Sequence, residues 1–176
     1  MNHLPSMARF NAWANERLYD SVAELPEAVY REARGAFFGS VHHTLNHILV
    51  VDRLWTGRIE GRNRGVRALD QILYEDLESL RAARREEDRR LIALVDGLTE
   101  ERLEAPVRYT RIIGEGEEEV RCGHILITLY NHQTHHRGQV HALLTQTGIV
   151  PPPLDIVFFL DELGEAGPPG TIRTGG

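Results

Sequence analysis

The chain has 176 residues and a mass of 20.0 kDa, so one domain can bury its apolar residues without disulfides or a structural metal. No apolar run approaches the length that crosses a bilayer. The first residues mix charged and polar side chains where a signal peptide would be continuously apolar. We therefore expect a cytoplasmic protein with no membrane partner.

The charged residues and the single cysteine exclude several kinds of site. All 20 basic residues are arginine, so no lysine can form a Schiff base or bind phosphate. Cys122 is the only cysteine, so the chain can form neither an internal disulfide nor a thiolate metal cluster. A net charge of -6 disfavours nucleic acid as a partner. We interpret one local basic run as mostly solvated loop: Arg58, Arg62, Arg64 and Arg67.

Two helices are predicted in the first third of the chain. Apolar residues recur at helical spacing from Ser6 to Leu25, with Ser6 as the candidate N-cap and Pro26 as the break. A second apolar stripe predicts a helix from about Ser40 to about Ile59, followed by a glycine-containing loop.

A third helix is predicted from about Asp70 to Leu98. Its charged run RAARREEDRR is typical of a solvated face with ion pairs between residues four apart. Residues 105–121 break the helical pattern, because alternating apolar residues flank a GEG turn there. We predict a small β-hairpin at this place.

The fourth long helix is predicted from about Gly123 to Thr147. The apolar segment LDIVFFLDEL follows a triple proline and is expected to cap the bundle. These patterns predict an all-α protein with four long helices and the hairpin inserted before the last of them. We expect a single domain over residues 1–163 and a Gly/Pro-rich tail over residues 164–176.

The fourth helix carries an unusual histidine cluster in the stretch NHQTHHRGQVHALL. On a helical wheel of about 100° per residue, Ile125 and Leu143 mark the buried stripe. His132 and His136 fall within about 20° of that stripe, whereas the other histidines of this helix lie off it. Two imidazoles therefore point into the core, one turn apart.

A pair of buried imidazoles has two explanations. Each unsatisfied polar group buried in an apolar seam costs about 1–3 kcal/mol, so both rings need partners. Hydrogen bonds to serine, aspartate or backbone groups would make them ordinary core residues. Alternatively, the H-x-x-x-H spacing lets two imidazoles bind one metal ion, provided that a third ligand comes from another helix.

The second helix offers that third ligand. His47 lies on the flank of its apolar arc and is the best candidate, with His43 in reserve. Asp52 falls inside the arc, where an unpaired carboxylate would be costly. It could orient a ligating imidazole or form an ion pair with Arg137.

The donor set restricts the metal. No histidine follows an acidic residue at the Glu-x-x-His spacing of di-iron bundles. Three nitrogen ligands without a thiolate suit zinc or nickel, with iron or cobalt as alternatives. Three protein ligands also leave a coordination position open, which catalysis requires.

The order of several motifs resembles a known family. AWANERL, LNHILVVDRLW, NHQTHHRGQVHALLTQTG and PPPLDIVFFL together resemble the damage-inducible DinB-like four-helix-bundle metalloenzymes, over residues 7–160. The resemblance implies that His47, His132 and His136 are metal ligands. It also implies an up-and-down-type four-helix bundle with a long crossover, frequently dimeric, and relatives that include thiol S-transferases and a thiol-dependent isomerase.

Three functional hypotheses follow. The first is a metalloenzyme that activates a thiol or water for transfer to a small electrophile, with a low-molecular-weight thiol as co-substrate. Thiol transfer is favoured over a metal-dependent hydrolase, because the chain shows no clear second carboxylate or Ser-His pair. The second is a non-catalytic protein of the stress response that binds a metal or small ligand. The third is a structural dimer whose histidines are core residues.

The apolar run in LDIVFFLDEL predicts a homodimer. Ile156 to Leu160 is too continuous for one face of a small amphipathic helix. Either the end of the bundle or a second copy of the chain must cover it. A two-fold dimer is the commonest oligomer geometry. The family resemblance and the Gly/Pro-rich tail favour the dimer over a simple cap.

Overall fold

The computed structural model describes residues 3–164, so the predicted tail lies outside the described residues except for Gly164. Most of these residues are helical. The elements in chain order are α1 Leu4–Val22, α2 Glu27–Arg31, α3 Val41–Glu60, α4 Leu77–Asp96, α5 Glu100–Glu104, β1 Pro106–Thr110, β2 Glu117–Arg121, α6 Cys122–Thr145 and α7 Ile156–Glu162.

The four long helices form the bundle, and their order around it differs from their order in the chain. Helix α1 packs against α4 and α6, and α3 packs against the same two helices. An ion pair of 2.7 Å between Arg9 and Asp96 joins the start of α1 to the end of α4, so these helices are antiparallel. Asp52 of α3 contacts Arg84 of α4, and Glu60, further along α3, contacts Arg90, further along α4. Helices α3 and α4 are therefore parallel. The predicted all-α bundle is confirmed.

Because α3 and α4 are parallel, residues 61–76 must return along the bundle as a long crossover. The side chain of Asn46 holds its last part: Oδ1 accepts from the backbone nitrogens of Leu73 and Tyr74 at 2.9 and 3.0 Å. The helix predicted from Asp70 begins only at Leu77. Asp76 caps it by accepting a hydrogen bond of 2.7 Å from the Ser79 nitrogen.

The N-terminus of α1 also differs from the prediction. Helix α1 begins at Leu4 rather than after Ser6, with His3 at the N-cap position. Pro5 lies in the first turn, where its fixed φ and missing N–H carry little penalty. Ser6 is therefore a helical residue and not a cap.

The predicted hairpin is present between α5 and α6. Strands β1 and β2 pair antiparallel, from Pro106 opposite Arg121 to Thr110 opposite Glu117. Tyr109 on β1 meets Trp55 of α3 edge to face, with ring centroids 5.5 Å apart. The hairpin therefore lies against the outer side of α3.

Part of the charged run on α4 is buried, so its interpretation as a solvated face is wrong there. Arg84, Glu87 and Asp88 are each at most 5% exposed. Arg84 donates to Asp52 of α3 at 2.6 Å, and Asp88 accepts from the Asn15 amide of α1 at 3.0 Å. Helix α4 packs between α1 and α3, so these side chains find partners on both neighbours.

The apolar segment after the triple proline forms the short helix α7. Phe159 is buried against Phe10 and Trp13 of α1, at centroid distances of 6.0 and 5.8 Å. The preceding apolar side chains remain 39–50% exposed: Ile156, Val157 and Phe158. Within residues 3–164, no helix combines the length and apolarity that a membrane span needs.

Candidate metal centre

His47 lies about two turns into α3, a helix that Ser40 caps by accepting from the His43 nitrogen. The Phe38 ring stacks on the His47 imidazole with centroids 3.8 Å apart. The Nδ1 atom of His47 is 2.7 Å from the carbonyl oxygen of Leu69 in the crossover. A carbonyl only accepts, so Nδ1 carries the proton and Nε2 of the neutral ring presents a lone pair.

His132 and His136 stand one turn apart on α6, with ring centroids 4.3 Å apart. His136 is 7% exposed, and its Nδ1 is 2.8 Å from the Oε1 atom of Gln139. The Gln139 carbonyl therefore fixes the His136 ring with Nδ1 protonated, which again leaves Nε2 as the free lone pair.

The three rings converge. Nε2 of His47 and Nε2 of His132 are 3.0 Å apart, and the potential ligand nitrogens of His47, His132 and His136 all lie within 4.8 Å of one another. Two imidazole nitrogens at this distance must share either a proton or a cation. The structure thus brings together the three histidines that the helical wheels place on facing surfaces.

Burial keeps these rings uncharged. Burial and, to a smaller extent, the neighbouring imidazoles lower the pKa of His132 to about 3. The same two causes lower the pKa of His136 to about 4, against the opposing effect of the hydrogen bond with Gln139. Burial also lowers the pKa of His47, against a smaller opposing effect of the Leu69 carbonyl. All three rings are neutral at pH 7, the protonation state that binds a metal ion.

The reserve candidate His43 does not join this group. Its side chain is exposed, and its Nδ1 is 2.8 Å from Oγ of Ser40 at the start of α3. His43 thus belongs to the helix N-terminus and not to the three-histidine cluster.

Asp52 and Arg137 have other partners than the sequence suggests. Asp52 is fully buried and accepts from Arg84 and Gln133, whereas Arg137 donates to Asn11 and to Oε1 of Gln133. Among the described residues, Asp52 shows no hydrogen bond to a cluster histidine and no ion pair with Arg137. The reason is that Arg84, on the parallel helix α4, reaches the carboxylate directly.

An apolar pocket of about 660 Å³ opens above the histidines. Its walls come from α3, α6, the hairpin and the loop before α3. Besides the three histidines, the lining includes Phe37, Phe38, Val51, Leu54, Trp55, Arg58, Leu69, Tyr109, Arg111, Ile112, Ile113, Glu118, Thr128, His135 and Gln139. This volume is in the range of small-molecule sites.

Sequence reasoning missed several of these residues. Gln139 could have been found, because it lies three positions after His136 on the same helix face. The Leu69 carbonyl and the Phe38 ring carry no sequence signal, because both lie in irregular segments. The solvated-loop interpretation is wrong for Arg58, which is helical and partly buried, and for Arg64, which pairs with the buried Glu87.

Comparisons with known proteins give a consistent result. The DinB family model matches residues 1–167. Protein DinB of Bacillus subtilis (strain 168) is 27% identical over 158 residues, which cover 86% of this chain and 90% of that protein. The crystal structure of a DinB-like protein from Bacillus subtilis shares the fold with a TM-score of 0.63 at 20% identity, covering 86% of this chain and 96% of the other. The chain therefore belongs to the DinB family.

Proposed function

We propose that this chain is a metal-dependent enzyme that joins a low-molecular-weight thiol to a small electrophile. His47, His132 and His136 would hold a divalent metal ion, with zinc or nickel best suited and iron or cobalt as alternatives. The observation that carries the proposal is the convergence of three neutral imidazoles within 4.8 Å at the floor of an apolar pocket.

The residues fit such an ion. The Leu69 carbonyl and the Gln139 side chain hold Nδ1 of His47 and His136, so each ring directs Nε2 toward the common point. Fixing the outer nitrogen in this way is what ligating histidines generally require. When bound, a divalent ion lowers the pKa of a thiol or a water, so that a nucleophile exists at neutral pH.

The pocket favours thiol transfer over hydrolysis. Among its described lining residues the one carboxylate is Glu118, and it is paired with Arg111. Hydrolysis usually needs a free base near the reacting water, whereas a thiol needs only its own deprotonation. Phe38 and the other apolar walls would exclude water from the thiol and the electrophile.

The first test is metal content, followed by a reaction screen. The purified chain should bind close to one divalent ion, and the loaded protein should consume thiol and electrophile together, with the adduct measured by mass spectrometry. Turnover with water but without thiol would instead show a hydrolase. Metal without any turnover would favour a binding protein, and absence of metal binding would overturn the proposal.

We also propose that the chain forms a homodimer through α7. The exposed side chains of Ile156, Val157 and Phe158 form a continuous apolar patch beside the buried Phe159. Light scattering at micromolar concentration should give twice the 20.0 kDa chain mass, and a monomer would contradict the proposal. A cytoplasmic location, a role in the stress response and a single domain over residues 1–163 remain predictions.

A further inference from the structure

Arg58 lines the same pocket as the histidines and lies in the last turn of α3. Its guanidinium contacts two rings, at 4.4 Å from the centroid of Trp55 and 3.8 Å from that of Tyr109. It donates one hydrogen bond of 3.3 Å, to the carbonyl oxygen of Thr110. Burial lowers the pKa of Arg58, although an arginine stays charged at neutral pH.

This arginine lacks an acidic partner, unlike its neighbours. Arg53 and Arg64 pair with Glu87, and Arg62 pairs with Glu60. In the part of the chain that the structure describes, no carboxylate lies within ion-pair distance of Arg58. A guanidinium carries five N–H donors, so most of its hydrogen-bonding capacity is available to a ligand.

Arg58 and the histidines face the same pocket. His47, Val51, Leu54 and Arg58 follow one another at helical spacing on one side of α3, and all four line it. Eleven residues of helix separate the two end positions by about 16 Å. Both side chains tilt toward the helix N-terminus, so the distance between the imidazole of His47 and the guanidinium of Arg58 stays of the order of that rise.

We propose that Arg58 binds the anionic group of the substrate, and that the pocket takes an amphipathic organic acid. The reacting atom would lie at the histidines, the apolar middle along Val51 and Leu54, and the carboxylate on the guanidinium. Only the role of the histidine end rests on the proposed function. An uncompensated cation at the end of an apolar pocket selects an anion for electrostatic reasons alone.

A structural role for Arg58 is the competing explanation, because the same stacking contacts attach the hairpin to α3. Such a role would affect acidic and neutral ligands equally. The preference for an acid over the matching alcohol is therefore the decisive measurement.

The test compares octanoate with octanol on the metal-stripped full-length chain by titration calorimetry. The wild type should prefer octanoate. Arg58→Met keeps the apolar stem and should weaken octanoate binding about ten- to a hundredfold without changing octanol binding. Arg62→Gln, which removes an exposed and paired arginine, is the matched control and should change neither.

Equal affinity of the wild type for octanoate and octanol would overturn the inference, and so would a preference that survives Arg58→Met. The wild-type comparison decides the matter alone if the variant does not fold. Metal content is measured in parallel. An Arg58-dependent preference in a chain that binds no metal would leave the acid site intact and remove the proposed function. Stoichiometric metal without the preference would remove only this inference.

Discussion

Helices α3 and α6 each contribute to two buried polar regions that differ in one respect. The first is the three-histidine cluster. The second, which we call the core charge network, contains Asp52, Arg84, Asp88, Gln133 and Arg137, together with the amides of Asn11 and Asn15. In the network each charge faces a group of opposite charge or a polar amide. In the cluster, ring nitrogens face other ring nitrogens.

This difference is why we assign a structural role to the network and propose metal binding at the cluster. Buried charges that are paired and hydrogen-bonded need nothing from outside the chain. Neutral imidazoles whose lone pairs converge are complementary to a cation that the chain does not itself supply.

Removing one cluster ring should have the largest effect. His136→Ala should abolish stoichiometric metal binding and turnover while leaving helix content unchanged, because a bundle of this size does not need an ion to fold. Metal analysis with circular dichroism measures both. His135→Ala, on the adjacent exposed position, should retain the metal. Loss of helix together with metal would assign a structural role to the site.

Breaking the core charge network should produce the opposite pattern. Asp52→Ala removes one of the two carboxylates that pair with the buried guanidinium of Arg84, and Asp88 remains as the other. The free energy of unfolding should fall by about 3 kcal/mol, the lower end of the range for a broken buried ion pair. Urea denaturation measures this change, and metal stoichiometry of the folded fraction should persist. Glu119→Ala removes only an exposed ion pair with Arg108 and should leave the denaturation midpoint in place. A large drop in metal content with Asp52→Ala would mean that the two regions are coupled.

Substitution of Gln139 should weaken metal binding less than substitution of His136, the ring that Gln139 holds. Gln139→Ala frees Nδ1 of His136, so metal affinity should fall about ten- to a hundredfold while the stoichiometry stays the same. Competition with a chelator gives the affinity. Gln146→Ala, at the exposed end of the same helix, is the control. Unchanged affinity in Gln139→Ala would show that the hydrogen bond does not orient the ring.

The convergence of the three histidines could be predicted because it depends on helical periodicity. Both His132 and His136 share a face with Ile125, and His47 lies on the inward flank of α3, so regular geometry alone brings them together. The hairpin was also predictable from local sequence, because alternating apolar residues flank a GEG turn.

The remaining features depend on long-range packing. The charged run of α4 gives no local sign that Arg84 will be buried, because its partner Asp52 lies 32 positions earlier in the chain. The crossover was mistaken for helix before Leu77 because Asn46 of another element satisfies its backbone. Arg58 was misinterpreted because its environment comes from Tyr109 on the hairpin.

The smallest expected effect is that of pH on metal affinity. Three exposed imidazoles with a pKa of about 6.5 would lose about a thousandfold in metal affinity when pH falls from about 7 to about 5.5. In this chain burial lowers the pKa of His132 to about 3 and of His136 to about 4, so protons compete weakly in that interval. The loss should therefore be less than about tenfold. The same pKa shifts affect the stability of the metal-free chain. Below the unfolded histidine pKa of about 6.5, the unfolded state binds protons first, so the free energy of unfolding decreases as the pH decreases. Calorimetric titration with zinc at several pH values measures the affinity, and a thousandfold loss would show that the rings are hydrated rather than buried.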